Sequence, residues 1–134
     1  MKIEVRYLSK SGNTAKVAES IAKAVNVSAE PITVPVSDDT DLLFLGGATY
    51  AFGIDDKMKQ YVSGLPQTVK CVAVFTTSAI VKSAFGQIQQ ALEDRGIKVA
   101  DRAFYCRGEF RVMHKGRPNS DDLKKAGEFA KTVI

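Results

Sequence analysis

Residues 3–21 read IEVRYLSKSGNTAKVAESI, and this stretch decides the fold. Apolar residues alternate over positions 3–7 and Leu8 closes the run, which is the pattern of a β-strand. A polar turn follows. Apolar residues then recur every three or four positions from 17 to 25, as on one face of an α-helix. The sequence therefore predicts a strand, a short polar loop and a helix in immediate succession.

The same alternation of strand-like and helix-like segments continues along the chain. Further strands are predicted around residues 32–36, 42–45, 69–75 and 97–105, and further helices around 54–65, 85–92 and 123–133. Strands that alternate with helices form a parallel sheet with helices on both faces. Pro31 and Pro35 place the second strand at an edge, because proline cannot donate to a strand ladder.

The prediction is therefore an α/β fold: a doubly wound, five-stranded parallel sheet in the order 2-1-3-4-5, forming a three-layer sandwich within one domain of residues 1–134. Two features fit it less simply. Only residues 37–41 separate the second and third predicted strands, so the second helix must be a single turn or absent. Glu4 and Arg6 lie within the first strand, so we expect its polar face to be only partly covered.

Composition excludes several classes of protein. Apolar residues make up 45% and charged residues 25%, as in ordinary soluble domains. There is no apolar run of the roughly 20 residues that a membrane span needs, and Glu4 and Arg6 occupy the place of a signal peptide's apolar stretch. We expect a cytoplasmic protein without a membrane partner, a monomer or weak dimer. The net charge of +4 is too small to indicate nucleic acid.

Cysteine and histidine usage points away from thiol or metal chemistry. Cys71 and Cys106 lie inside apolar runs, which favours two buried thiols over a disulfide or redox pair. His114 is the sole histidine, and the sequence has no CxxC motif. We therefore predict no metal site.

Three loops should meet where the strands end, at the edge where open parallel sheets bind ligands. They read LSKSGNT (8–14), GGATYAFGID (46–55) and TTSAIVKS (76–83). The first precedes a helix, whose N-terminus has unpaired N–H groups and a partial positive charge suited to phosphate. Gly12 allows close approach, and hydroxyl and amide side chains surround it. A simple capped helix would need only one of these residues, and the composition of the loop leaves both readings open.

The segment SKSGNT (9–14) resembles the phosphate loop of the flavodoxin family, Ser/Thr-x-Ser/Thr-Gly-x-Thr. Ser9, Ser11, Gly12 and Thr14 match that pattern, and Asn13 is a usual occupant of its open position. The likeness extends over nearly the whole chain. DLLFLGGATYAFGID resembles the family's third strand and first flavin loop, and FYCRGEF and GRPNSDDLKKAGEFAKTVI resemble the last strand and helix of short members. The resemblance implies FMN as the cofactor and electron transfer as the activity.

The resemblance also implies a set of cofactor-binding residues. Tyr50 is the first choice to stack on the planar flavin ring, with Phe52 as the alternative, and Gly53 is placed for a redox-linked peptide flip. The full predicted set is Ser9, Lys10, Ser11, Gly12, Asn13, Thr14, Ala48, Thr49, Tyr50, Phe52, Gly53, Thr76, Thr77, Ser78 and Ala79. The third loop lacks the tyrosine that many members carry, which predicts a more open ring site.

An electron carrier is the leading interpretation. The alternatives are an FMN-dependent NAD(P)H or quinone-type reductase and a binding module that keeps the fold without flavin. Unlike typical flavodoxins, which are acidic, this chain is net positive. Its basic residues crowd the segment after the last strand: Arg107, Arg111, His114, Lys115 and Arg117. They predict that this segment faces an acidic redox partner protein or an anionic ligand, and the plainer alternative is a solvated loop.

Overall fold

The computed structural model describes residues 1–9, 12–49, 56–78, 85–107 and 116–134. The elements in this part of the chain are β1 (Ile3–Tyr7), α1 (Asn13–Ala24), β2 (Ala29–Pro31), β3 (Leu42–Thr49), α2 (Asp56–Ser63), β4 (Val72–Ser78), α3 (Phe85–Asp94), β5 (Phe104–Arg107) and α4 (Ser120–Val133). The strands form a parallel sheet in the order β2-β1-β3-β4-β5. This confirms the predicted topology. No helix within the described ranges is both long and apolar enough to cross a membrane.

Helices cover both faces of the sheet. Successive residues of β3 and β4 are apolar, so each strand presents apolar side chains to both faces, and both faces need cover. Phe44 and Phe75 face α1 and α4 in one core layer. Leu43 and Val74 face α2 and α3 in the other. All four side chains are fully buried, and the molecule is the three-layer sandwich that the sequence predicts.

The predicted position of the second strand is wrong. β2 is Ala29–Pro31, which pairs with Val5, Arg6 and Tyr7 of β1, and the Ile32 N–H still donates to the Tyr7 carbonyl at 2.9 Å. The chain then turns away, and residues 32–36 form no strand. The prediction that the second strand lies at an edge is confirmed.

The crossover from β2 to β3 is made by residues 32–41, which contain turns and no helix. This confirms that the second helix is absent. The crossover is anchored at its far end, where the Asp41 N–H donates to the Lys2 carbonyl at 2.9 Å. It lies over the face of β1 that carries Glu4 and Arg6.

Arg6 binds the crossover directly. Its guanidinium donates to the carbonyl oxygens of Val34 at 2.9 Å and Pro35 at 2.8 Å, and to Glu4 Oε1 at 3.0 Å. Only 5% of Arg6 is exposed, so this face of β1 is covered more completely than the sequence predicts. The same contacts explain why residues 32–36 form no strand. The Val34 and Pro35 carbonyl oxygens, which a strand would use to pair with its neighbour, bind the Arg6 side chain instead.

Glu4 completes the cluster from the other side. Its carboxylate accepts hydrogen bonds from the Ser37 N–H at 2.9 Å and from the Thr40 hydroxyl. Burial raises the pKa of the Glu4 carboxyl, but these hydrogen bonds and the Arg6 charge outweigh burial, and the pKa lies below its ordinary value. Glu4 is therefore ionised at neutral pH, and the ion pair with Arg6 is intact.

The last strand also begins later than predicted. β5 is Phe104–Arg107, whereas Val99 makes only an isolated bridge with Val72 of β4. Between them the chain leaves the sheet at Asp101 and Arg102, which are exposed. Two adjacent charged residues therefore interrupt what the apolar pattern presents as one strand.

We expect Glu4→Gln to lower the free energy of unfolding by about 2–4 kcal/mol at neutral pH, because it leaves Arg6 buried without its counter-charge. Because the folded-state pKa of Glu4 lies below its ordinary value, the stabilisation is present above that ordinary value and is lost as pH falls through the folded pKa. Urea unfolding of both proteins from neutral to acidic pH measures the difference, which should shrink in acid.

Asp39→Asn is the matched control, because Asp39 forms an exposed ion pair with Lys2 at 3.0 Å. Exposed pairs of this kind contribute little to stability. If both substitutions had equally small effects, the Arg6–Glu4 pair would not be what holds the crossover.

Candidate functional site

The carboxyl ends of β1, β3 and β4 meet at one edge of the sheet. Tyr7, at the end of β1, pairs with Gly46 of β3. The last three residues of β3 then pair with Thr76, Thr77 and Ser78 of β4. The three loops that the sequence singles out therefore start side by side, at the position where ligands bind in doubly wound sheets.

The first loop turns at Gly12. Gly12 has φ +89°, a left-handed conformation that glycine adopts without steric cost, and its N–H donates to Ser9 Oγ at 3.0 Å. As the N-cap of α1, Gly12 provides no side-chain cap. Apart from its two chain neighbours, a Cβ atom placed on Gly12 would meet no atom of the described residues within 4 Å. Lys10 and Ser11 lie outside the described residues.

This geometry is compatible with both readings of the loop. In a simple capped helix, the side-chain oxygen of the N-cap accepts from the first turn. Here the Ser9 oxygen accepts from Gly12 itself, and the N-cap is a glycine beside open space. Asn13 opens α1 directly after it. Glycine is itself a usual N-cap, so the reading of this loop as a phosphate site stays a prediction.

Thr14 and Thr77 connect the first loop to the third. Their hydroxyl oxygens are 2.8 Å apart, and each residue is only 1% exposed. Thr14 lies one turn before Val17 on the buried face of α1, and Thr77 lies two residues after Phe75 on the same face of β4. The two threonines therefore form a polar layer where this core meets the binding edge.

Near the end of β3, two glycines allow the side chains of Phe75 and Met58 to approach the strand backbone closely. A Cβ on Gly46 would fall 2.0 Å from the Phe75 ring, and one on Gly47 would fall 3.1 Å from Met58 Cε. Glycine is thus required at position 46 for Phe75 to pack against the strand. Sequence reasoning missed this role, although two glycines ending an apolar run are a signal of close packing.

The remaining predicted residues divide by position. Ala48 and Thr49 end β3, and Thr76, Thr77 and Ser78 end β4. Thr76 is fully buried. Besides Lys10 and Ser11, four predicted residues lie outside the described part of the chain: Tyr50, Phe52, Gly53 and Ala79. Their roles at the flavin ring, and the openness predicted for the third loop, stay predictions.

Arg117 has a structural role that the sequence did not suggest. Its guanidinium donates two hydrogen bonds to Asp122, at 2.5 and 2.7 Å. Asp122 also accepts from the Asn119 N–H at 2.8 Å, and the Asn119 side chain accepts from the Asp122 N–H in return, forming a capping box for α4. The hydrogen bonds from Arg117 lower the pKa of Asp122, so the pair stays charged.

Arg117 therefore fixes the start of α4, while its side chain stays 35% exposed, and its contact with a partner stays a prediction. Of the other basic residues in that group, Arg107 ends β5. Arg111, His114 and Lys115 lie outside the described residues.

Neither cysteine offers a reactive thiol. Both are free; Cys106 is buried, and burial raises its pKa to about 12. Cys71 is half-buried, and burial raises its pKa as well. Thiols of this kind are protonated at neutral pH and are poor nucleophiles, which agrees with the structural role predicted for them.

Comparisons with known sequences leave the function open. No family model matches the chain. An uncharacterized protein of Methanocaldococcus jannaschii is 28% identical over 137 residues, which cover 91% of this chain and 90% of that protein.

Comparisons with solved structures concern the fold. A flavodoxin from the domain Archaea has 20% identity and a TM-score of 0.79, covering 99% of this chain and 96% of its own. Oxidised flavodoxin 2 from Bacillus cereus has 20% identity and a TM-score of 0.74, covering 99% and 97%. A short-chain flavodoxin associated with a bacterial microcompartment has 16% identity and a TM-score of 0.73, also covering 99% and 97%. The chain therefore has the flavodoxin-like fold.

Proposed function

We propose that this protein binds FMN at the carboxyl edge of its sheet and carries electrons between redox partners. The observation that carries the proposal is the geometry of the first loop, where Gly12 turns in a left-handed conformation beside open space and α1 starts directly behind it. Support also comes from the fold, which solved flavodoxins share in oxidised and two-electron reduced forms.

The described residues fit the phosphate end of FMN. An anion in front of Gly12 would meet the positive end of the α1 dipole and its N–H groups. Ser9, Asn13 and Thr14 would bind it there, with Lys10 and Ser11 beside them. The ring would lie toward the ends of β3 and β4, with Tyr50 or Phe52 stacked on it. When bound, FMN supplies one- and two-electron redox chemistry, and this chain binds and orients it.

A carrier is preferred to a reductase because of the side chains at the binding edge. The side chains that the structure describes there belong to Ser9, Asn13, Thr14, Thr76 and Thr77. Such groups form hydrogen bonds but do not exchange protons at neutral pH. They suit a site that holds a cofactor rather than one that performs acid–base chemistry on a substrate.

The first test is quenching of FMN fluorescence on titration with the apoprotein. Gly12→Ala should weaken FMN binding by about tenfold, because the alanine would leave the positive φ in the free protein and regaining it on binding costs roughly 1–2 kcal/mol. Gly96→Ala is the matched control, since Gly96 also has a positive φ, +74°, and no described atom beyond its chain neighbours within 4 Å of a Cβ, and it follows the far end of α3.

A wild-type protein that does not quench FMN fluorescence would contradict the proposal. If FMN binds, NAD(P)H oxidation in the presence of a quinone distinguishes the two redox functions. Steady turnover would favour the reductase, and its absence the carrier.

We also propose that the redox partner is acidic. Arg107→Gln together with Arg111→Gln should slow electron transfer with an acidic ferredoxin severalfold at low ionic strength and flatten its salt dependence, because charge steering is screened by salt. Stopped-flow rates measure the effect.

The double variant Lys70→Gln and Lys98→Gln serves as the charge-matched control, since both lysines are exposed and flank the opposite end of β4. Equal losses in the two double variants would show that only net charge matters. Arg117 is left intact, because its pair with Asp122 holds α4.

A further inference from the structure

The buried hydroxyl pair of Thr14 and Thr77 lies directly behind the proposed phosphate position. The two oxygens are 2.8 Å apart, the ordinary length of an O–H···O hydrogen bond. Either hydroxyl can be the donor. Thr14 is the second residue of α1, next to the turn at Gly12, whereas Thr77 is held by the sheet between Ala48 and Cys106.

The two hydroxyl hydrogens determine whether Thr14 can also donate to an anion. Each hydroxyl has one hydrogen to donate and can accept two. If Thr14 donates to Thr77, its only hydrogen is used and it cannot donate to an anion. If Thr77 donates to Thr14, the Thr14 hydrogen is free to point out of the core. A phosphate can only accept, so it selects the second arrangement.

We propose that Thr77 is a positioning residue of the phosphate site: its hydroxyl donates to Thr14, so that Thr14 donates to the phosphate group of FMN. The chain of hydrogen bonds runs from β4 through α1 to the anion, and each bond polarises the next. This inference rests on the proposed function and assigns Thr77, which the sequence analysis predicts only as a cofactor-binding residue, to the phosphate end of the site.

The consequence is selectivity for the phosphorylated flavin. Riboflavin has the same ring and no phosphate, so loss of the Thr77 hydroxyl should affect FMN far more than riboflavin. Inorganic phosphate should bind the same place and raise the melting temperature of the wild-type apoprotein.

The test compares Thr77→Val, Thr77→Ser and Thr14→Val by fluorescence titration with FMN and with riboflavin. We expect Thr77→Val to reduce the preference for FMN over riboflavin by about tenfold, the scale of one hydrogen bond to a charged group. Thr77→Ser, which keeps the hydroxyl, should restore the preference to within about twofold of the wild type.

A double-mutant cycle shows whether Thr77 acts through Thr14. In a Thr14→Val background, Thr77→Val should cause no further loss of FMN preference, because the group it positions is gone. The double variant also replaces both buried hydroxyls by methyl groups of the same shape, which is nearly neutral for folding. It therefore remains measurable if Thr77→Val alone is unstable.

The outcomes separate this inference from the proposed function. Wild-type binding of FMN with an unchanged preference in Thr77→Val, or additive losses in the double variant, would overturn the positioning role alone. A wild-type protein that binds neither FMN nor inorganic phosphate would overturn both. A phosphate-induced rise in melting temperature that disappears in Thr77→Val would support the positioning role without any flavin.

Discussion

The buried guanidinium of Arg6 is the contact on which the arrangement of β1 depends. A strand in a doubly wound sheet needs cover on both faces, and α1 covers only one face of β1. On the other face, Arg6 donates to Val34 and Pro35, and Glu4 accepts from the Ser37 N–H. These bonds satisfy backbone groups of a crossover that has no helix to pair them internally. One charged pair thus stands where the hydrophobic face of a helix would otherwise pack.

The contacts that fix β1 also affect the proposed binding edge, because the first loop follows directly after β1. β1 lies between β2 and β3, and its end leads directly into the loop that turns at Gly12. A strand fixed on both faces holds the start of that loop, while Thr77 holds its far end through Thr14. The loop is therefore fixed at both ends to the sheet. Gly12 and Thr14 are thus held at the start of α1, which would reduce the ordering cost of the proposed anion binding.

Local patterns predicted the sheet order and the edge position of β2, because period and proline content act over a few residues. Local patterns gave wrong predictions where contacts between residues far apart in the sequence determine the local structure. Residues 32–36 alternate like a strand, but their carbonyl groups bind a side chain of β1. Thr14 and Thr77 were both predicted as site residues, but not their mutual bond across 63 positions. Its signal was present: each threonine continues the buried period of its own element, at the spacing where an apolar residue would be expected.

The same distinction applies to charge. The sequence assigns Arg117 to a basic surface, whereas the structure pairs it with Asp122, just as Arg6 is paired with Glu4. Each ion pair has no net charge, so the other charged residues account for the whole net charge of +4. The expectation of an acidic partner therefore does not depend on Arg117. It rests on Arg107, which ends β5 at the edge where the flavin is proposed to bind, and on the basic residues that follow it in the sequence.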